Sequence, residues 1–495
     1  MIARKCPMNS IESVNYKRLL LITLLLGLVV FYWKLGDIAL MSFNEARRAI
    51  PIREMFASGD WLLPRLNGEL YLTKPPLLYW LGALAAHVMG SASEWAVRLP
   101  SAIAATLIVW GCYRYALKEF GAWPALFTAQ ILIANAGFAM FARRAEIEML
   151  LTALCVGALL TALHYARGPE EGDQRGRGWL YLSYFLLGLA MLTKGPLVLL
   201  FVTLPLLIVA IIRRQLSYWQ AVRDPVGWLI FLVVGLSWYL VVTMQLGMDV
   251  WVSIIHRDML EKMQDTTSKP FLSYMLWLLQ DFLPVGLLLF IHPLATLRRW
   301  KTQEDLFSLL VAIAVPLLIF SFFSNKHDKY MLPIYPLVAL LIGKRVGEIF
   351  EQAGPRLRKL IKTVGLLLPF GYAVFYAYAE PHVFDYRVSV FPKYTAWAQE
   401  TKTIPLYGYR ELDSRLIYYA GRNIQLLDAA ALKQQIDTRN PMLLLVESAS
   451  IDEVRPHADC MVREFAPYLK KNKVLAVFGF GAACQVPKTP AEATQ

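Results

Sequence analysis

The stretch 44-NEARRAIPIREMFASGDWLLPRLNGELYLTKPPLLYW-80 decides how the chain is read. It follows one long apolar run, at 19–36, and leads into others, so it belongs to a loop of the membrane surface, here taken as 37–94. A loop of that length in a compact protein is usually functional or disordered. This one has Trp61, Tyr71, Tyr79 and Trp80, residues suited to the lipid–water boundary. It also holds Glu45, Arg47, Arg48, Arg53, Glu54, Asp60, Arg65, Glu69 and Lys74. If a helix starts near Glu45, Arg48 shares its face at i+3, and Asn44, Arg47 and Arg48 form a second i, i+3, i+4 cluster. Lys74-Pro75-Pro76 then holds an ammonium at a rigid, extended corner. A carboxylate, two guanidiniums and a lysine at a membrane surface suit an anionic lipid headgroup with chemistry beside it.

Outward from that loop, the 495 residues are 57% hydrophobic and 18% charged, the balance of a polytopic α-helical membrane protein. The net charge of +13 comes from basic residues flanking apolar runs, which the positive-inside rule explains without nucleic acid. Runs long enough to span lie at 19–36, 95–116, 121–142, 147–166, 179–193, 196–212, 226–247, 271–292, 305–324, 330–348 and 360–379, about eleven crossings. The first run, preceded by Lys17 and Arg18, reads as an anchor, not a cleaved signal. Basic clusters mark alternate connections, among them Arg114 with Lys118, Arg213 with Arg214, and Lys344 through Lys362, and these belong inside. The N-terminus is then cytoplasmic. The outer face receives the first loop, Arg143–Glu148, Lys194–Pro196, 250–270, Asn325–Tyr330 and everything after about residue 380.

Those outer connections carry the unusual residues. Glu148 opens an apolar helix, where a carboxylate is expensive unless it is paired or used. His256-Arg257-Asp258 and Asn325-Lys326-His327-Asp328-Lys329-Tyr330 would each pass as a solvated linker, but facing the first loop's cations they form a basic funnel for a phosphate. Asp281 is a charge within a predicted span, either functional or paired with a neighbouring helix. The seven histidines lack HxxxH or HExxH spacing, and neither GxGxxG nor a Walker sequence occurs, so no metal and no nucleotide cofactor are expected. An activated substrate must then arrive on a lipid.

The chain divides into a membrane domain, 1–380, and a C-terminal domain, 381–495. In the latter, 404–409, 424–428, 442–448 and 474–480 read as strands and 411–420, 429–438 and 451–457 as helices, a small periplasmic α/β domain. Outside the membrane a Cys460–Cys484 bridge is chemically permitted.

The first loop together with AVRLPSAI, AEIEMLLTAL, LGLAMLTKGP, WYLVV, RDMLEKM and NKHDKYMLPIYPLVALLIG resembles the bacterial ArnT-like branch of the protein O-mannosyltransferase superfamily, over about residues 19–348. That branch includes lipid A aminoarabinose transferases. The resemblance implies a C-type glycosyltransferase (GT-C) fold, a polyprenyl-phosphate sugar donor and a lipid A-type or other envelope acceptor, such as lipopolysaccharide. It implies that Lys74 holds the lipid phosphate, assisted by Arg257 and Tyr330, and that Arg47 or Arg48 organises the site beside the reacting carboxylate. Three positions depart from the family. Asn44-Glu45 replaces an Asp-Glu pair, and an amide is no base, so the role passes to Glu45 or elsewhere. A second acid, usually Asp, is Glu148, and a metal-binding Glu is Thr73. These departures bear on the sugar and acceptor rather than on transfer itself. The rival classes are a transporter or flippase of lipid-linked sugars, which usually shows inverted repeats, and an inactive assembly factor.

Overall fold

The computed structural model describes residues 10–168, 176–252, 254, 268–291 and 293–485. Two compact units share the chain. One comprises Met1–Trp33, Leu72–Leu81 and Arg98–Ala377, the other Lys34–Tyr71, Gly82–Val97 and Tyr378–Gln495.

The first unit is helical. Among the described residues, seven helices are long and apolar enough to cross a membrane, and eight if one bent pair is a single crossing. They include α1 (Ser10–Tyr32) and α4 (Glu94–Glu119); between them in the chain lie α2 (Phe43–Ser58), which belongs to the second unit, and α3 (Leu77–Met89). The bent pair is α5 (Ala122–Ile133) and α6 (Ala136–Ala142), which meet at 67°. Asn135 makes that corner: its backbone is extended and its side-chain oxygen accepts the Phe138 N–H at 2.8 Å, capping α6. Next come α7 (Ile147–Ala166) and α8 (Gly178–Lys194). The runs read at 179–193 and 196–212 lie in one apolar stretch, Gly178–Arg213, broken by a 3-10 turn over Gly195–Leu200. Those at 271–292 and 330–348 hold Ser273–Asp281 and Tyr335–Gln352, which fall short of the same criterion.

Membrane helices gain little from apolar burial against each other and associate through close backbone approach. Gly343 and Gly347 of helix Tyr335–Gln352 provide it, since a Cβ at Gly343 would lie 2.1 Å from Thr128 Oγ1 and one at Gly347 2.4 Å from Pro124 Cγ, both on α5.

In the second unit a five-stranded sheet has the order β4-β3-β5-β7-β6. A two-residue hairpin, β1 (Arg65–Leu66) with β2 (Glu69–Leu70), precedes it in the chain. The sheet strands are β3 (Leu406–Tyr409), β4 (Gln425–Leu427), β5 (Met442–Glu447), β6 (Cys460–Phe465) and β7 (Leu475–Phe480). β3 runs parallel to β4 and β5, while β7 is antiparallel to β5 and β6. Leu444, Val446, Ala476 and Phe478 form its core with Leu432 of helix Ala429–Asp437. β6 escaped the sequence reading because it is an edge strand with a charged pair, Arg463-Glu464, where an apolar alternation would be the signal. The Cys460–Cys484 disulfide ties β6 to the turn after β7.

The first loop folds onto this domain. Asn67 and Ile424 exchange two hydrogen bonds of 2.7 Å. Arg53 donates to the carbonyls of Ile417 and Tyr418, both at 2.8 Å, at the C-terminal end of helix Ser414–Ala420. A guanidinium there satisfies orphan carbonyls and complements the helix dipole.

Candidate functional site

In the membrane unit the run Arg143–Glu148 is a junction. Arg143 is buried and structural: it donates to the carbonyls of Val30 and Trp33, at 2.9 and 3.0 Å, and lies over the Tyr376 ring. Glu146 immediately precedes α7 and Glu148 sits in its first turn, with 4% and 3% of their surfaces exposed. Carboxylates so buried need cations. Lys329 Nζ lies 3.1 Å from Glu146 Oε2 and 3.8 Å from Glu148 Oε1, and Lys194 Nζ lies 3.4 Å from Glu148 Oε1. Lys194 also stands 4.6 Å from the centre of the Tyr330 ring, a cation–π contact. Burial raises the Glu146 carboxyl above the usual range; Lys329 opposes that rise and Glu148 adds to it. Two acids and two lysines, under one aromatic ring, thus form a compact ionic cluster from α7, the end of α8 and the 3-10 segment Asp328–Ile334.

Lys326 serves its own loop. It is buried, and its ammonium donates to the carbonyls of Lys269, at 3.1 Å, and Phe323, while Lys269 Nζ donates to the Lys326 carbonyl at 2.8 Å. Lys74 is half-buried in the bend ahead of α3, beside Thr73. Arg257 lies outside the described residues. Asp281 accepts from Tyr335 Oη at 2.6 Å, and its backbone carbonyl accepts from Asn135 at 2.9 Å. It pairs with neighbouring helices. Among the described residues, no three His, Cys, Asp or Glu side chains gather as a metal-binding group.

In the other unit, Ser42 caps α2 by accepting the Glu45 N–H at 3.0 Å, and Glu45 Oε2 accepts the Met41 N–H at 2.8 Å. This reciprocal arrangement is a variant of the capping box. It buries Glu45 fully at the positive end of α2, where an ionised carboxylate is favoured. Asn44 is half-buried beside it. Arg48, also buried, donates to Tyr71 Oη at 2.9 Å, and Arg47 lies over the rings of Phe43 and Tyr71 at 5.2 and 5.6 Å. The sequence-predicted residues thus fall into two groups, Glu45 with Arg47 and Arg48 in one unit, and Glu148 with Lys74, Lys326, Lys329 and Tyr330 in the other. Lys194 and Glu146 were not singled out. A lysine ending an apolar helix, with no acid of its own on that helix, was the available signal.

Two family models match. That of Dolichyl-phosphate-mannose-protein mannosyltransferase covers residues 73–244, and that of the Alg9-like mannosyltransferase family covers 267–401. The fold is similar to that of ArnT from Cupriavidus metallidurans in the apo state, with a TM-score of 0.78 over 94% of this chain and 98% of that one, at 18% identity. A structure of the same protein bound to undecaprenyl phosphate gives 0.78 over 92% and 97%, at 19% identity. In sequence the chain is 30% identical over 325 residues to undecaprenyl phosphate-alpha-4-amino-4-deoxy-L-arabinose arabinosyl transferase 1 of Sodalis glossinidius, covering 62% of this chain and 55% of that protein. In sequence and in fold the chain thus resembles the ArnT-like branch of the protein O-mannosyltransferase superfamily. Another ArnT-like relative, arabinosyl transferase 2 of Pseudomonas fluorescens, is 28% identical over 70% of this chain and 63% of its own length. The chain spans less than two thirds of the length of these two relatives. It has the GT-C fold expected of an ArnT-like protein and is a multi-pass protein of the inner membrane.

Proposed function

We propose that the protein is an inverting glycosyltransferase that moves a sugar from a polyprenyl-phosphate donor to a lipid A-type or other envelope acceptor. The N-terminus is cytoplasmic, and the reaction and the C-terminal domain face the periplasm. The observation that carries this reading is the buried cluster of Glu146, Glu148, Lys194 and Lys329. Ammonium groups shared among carboxylates are ready receptors for a lipid phosphate, which each lysine binds as a point charge. As the phosphate engages Lys194 and Lys329, it competes with Glu148 for them and leaves a carboxylate oxygen open to the acceptor hydroxyl. The acceptor O–H then loses its proton to Glu148 or Glu45, its oxygen bonds to the anomeric carbon, and the carbon–oxygen bond to phosphate breaks. The bond pair leaves with the phosphate, whose growing charge Lys74 and the cluster lysines stabilise. Arg48, with Arg47, organises the surroundings of Glu45 in α2; Tyr330 keeps Lys194 in place, and Lys326 keeps the loop of Lys329 in shape. Further support comes from the relatives, whose names specify an undecaprenyl-phosphate-linked donor.

The test is mass spectrometry of lipid A and envelope glycans from a deletion strain complemented with wild type, Glu45→Gln, Glu148→Gln or Lys74→Ala. Loss of a sugar-sized mass, restored by wild type alone, supports transfer. Unchanged glycans with sugar-loaded polyprenyl phosphate accumulating on the cytoplasmic side would instead favour a flippase.

A further inference from the structure

The family motifs end near residue 348, yet the segment that fixes Glu45 is itself held by residues beyond 400. Arg415, only 7% exposed, donates from Nη1 to the Met41 carbonyl at 3.1 Å. Its Nε and Nη2 take the two oxygens of Asp413, each at 2.9 Å. Met41 is therefore gripped from both sides, its carbonyl by Arg415 and its N–H by Glu45 Oε2 at 2.8 Å. The next contact upstream repeats the pattern. Tyr419 Oη accepts the Leu40 N–H at 2.7 Å and donates to Glu94 at 2.7 Å. Behind Asp413, Glu447 accepts the Asp413 N–H at 2.8 Å and the Tyr468 hydroxyl at 3.2 Å. The Arg415 and Glu45 charges also act on one another.

Mere adhesion between α2 and helix Ser414–Ala420 needs no buried guanidinium, and packed apolar side chains would serve it as well. A planar fork fixed by a bidentate carboxylate does something they cannot, which is to set direction at the acceptor it reaches. Here the acceptor is the residue that fixes the Glu45 carboxylate.

We infer that Arg415 is a positioning residue for Glu45, so that the C-terminal domain sets the geometry of the carboxylate at the start of α2. This rests on the reading of Glu45 as part of the reacting site. Asp413 orients Arg415, and Glu447 with Tyr468 fixes Asp413.

The test uses the full-length protein in detergent, with Arg415→Met, Arg415→Lys and Asp413→Asn. Hydrogen exchange of the segment 40–46 is expected to quicken about tenfold in Arg415→Met and less in Arg415→Lys. Transfer is read with the total lipid extract of the deletion strain as donor and its outer membranes as acceptor. In Arg415→Met, kcat should fall about 10- to 100-fold while KM for the titrated extract stays within about twofold, with partial recovery in Arg415→Lys. Unchanged exchange overturns the inference whatever the activity. Faster exchange with unchanged kcat overturns it too, leaving Arg415 as domain glue. If Arg415→Met does not fold, Asp413→Asn, which keeps the guanidinium and frees its direction, must show the same split. A wild type that transfers nothing from the extract strikes the glycosyltransferase reading, and the exchange data alone then decide whether Arg415 holds the segment.

Discussion

Replacing Lys329 by methionine removes one of two cations from a pair of carboxylates that are almost completely buried. Breaking a buried ion pair from one side costs about 3–5 kcal/mol. The Lys329 side chain is 18% exposed and Lys194 remains 3.4 Å from Glu148, so a loss at the foot of that range, about 3 kcal/mol, is expected. The sign with pH follows from Glu146. Its carboxyl already lies above the usual range through burial, and loss of Lys329 removes an opposing influence, so it rises further. A carboxyl whose folded value is raised costs stability as pH climbs from its ordinary value through the raised one. Lys329→Met should therefore be most damaging near pH 8 and mildest near pH 5. Thermal unfolding of purified protein at both pH values measures this. The double variant with Glu146→Gln should be less impaired than the sum of the singles by about 1–3 kcal/mol. Additive losses that do not change with pH would refute the ionic cluster as described.

Three further outcomes are expected. Burial also raises the Glu447 carboxyl, against hydrogen bonds from Asp413 and Tyr468, so protection of the β5 amides should decline as pH rises above the ordinary glutamate value; Glu447→Gln, followed by hydrogen exchange, should flatten that decline. Cys460→Ser opens a link between residues 24 apart in sequence and should cost the C-terminal domain about 3 kcal/mol, measurable as earlier proteolysis of 406–485 on heating. Gly343→Val places atoms against Thr128 and Pro124 of α5 and should cost about 1–3 kcal/mol or more, read as lower thermal stability with unchanged membrane insertion.

How much of this was legible differs by element. Hydropathy located α4 and α7 because each is one long uninterrupted run. It could not foresee the 67° corner at Asn135, which depends on a side chain capping a new helix in the middle of an apolar stretch. The i, i+3 spacing placed Glu45 and Arg48 on one helix but did not show what else holds them: the Met41 N–H engages the carboxylate, Ser42 takes the Glu45 backbone N–H, and Tyr71 accepts from the guanidinium. Spacing gives faces, while partners depend on how the chain turns before α2, at Met41, and returns after it, at Tyr71. Glu148 was legible because a charge opening an apolar helix must have a reason. Its lysine Lys194 follows 46 residues later and was passed over as part of a turn. Arg415 had no local signal at all, since its meaning lies in a carbonyl 374 residues upstream.

That separation has a consequence for how the protein is made. The hydrogen bonds from Arg53 reach carbonyls 364 and 365 positions later. At about 5–20 residues per second, synthesis of the intervening chain takes roughly 20–70 seconds. Throughout that interval the nascent loop lacks the helix that splints it, its arginines and the caps of α2 exposed to proteases and quality control. A premature stop anywhere before codon 414 would leave every nascent copy in that condition permanently, so late nonsense mutations should deplete the whole protein rather than merely shorten it.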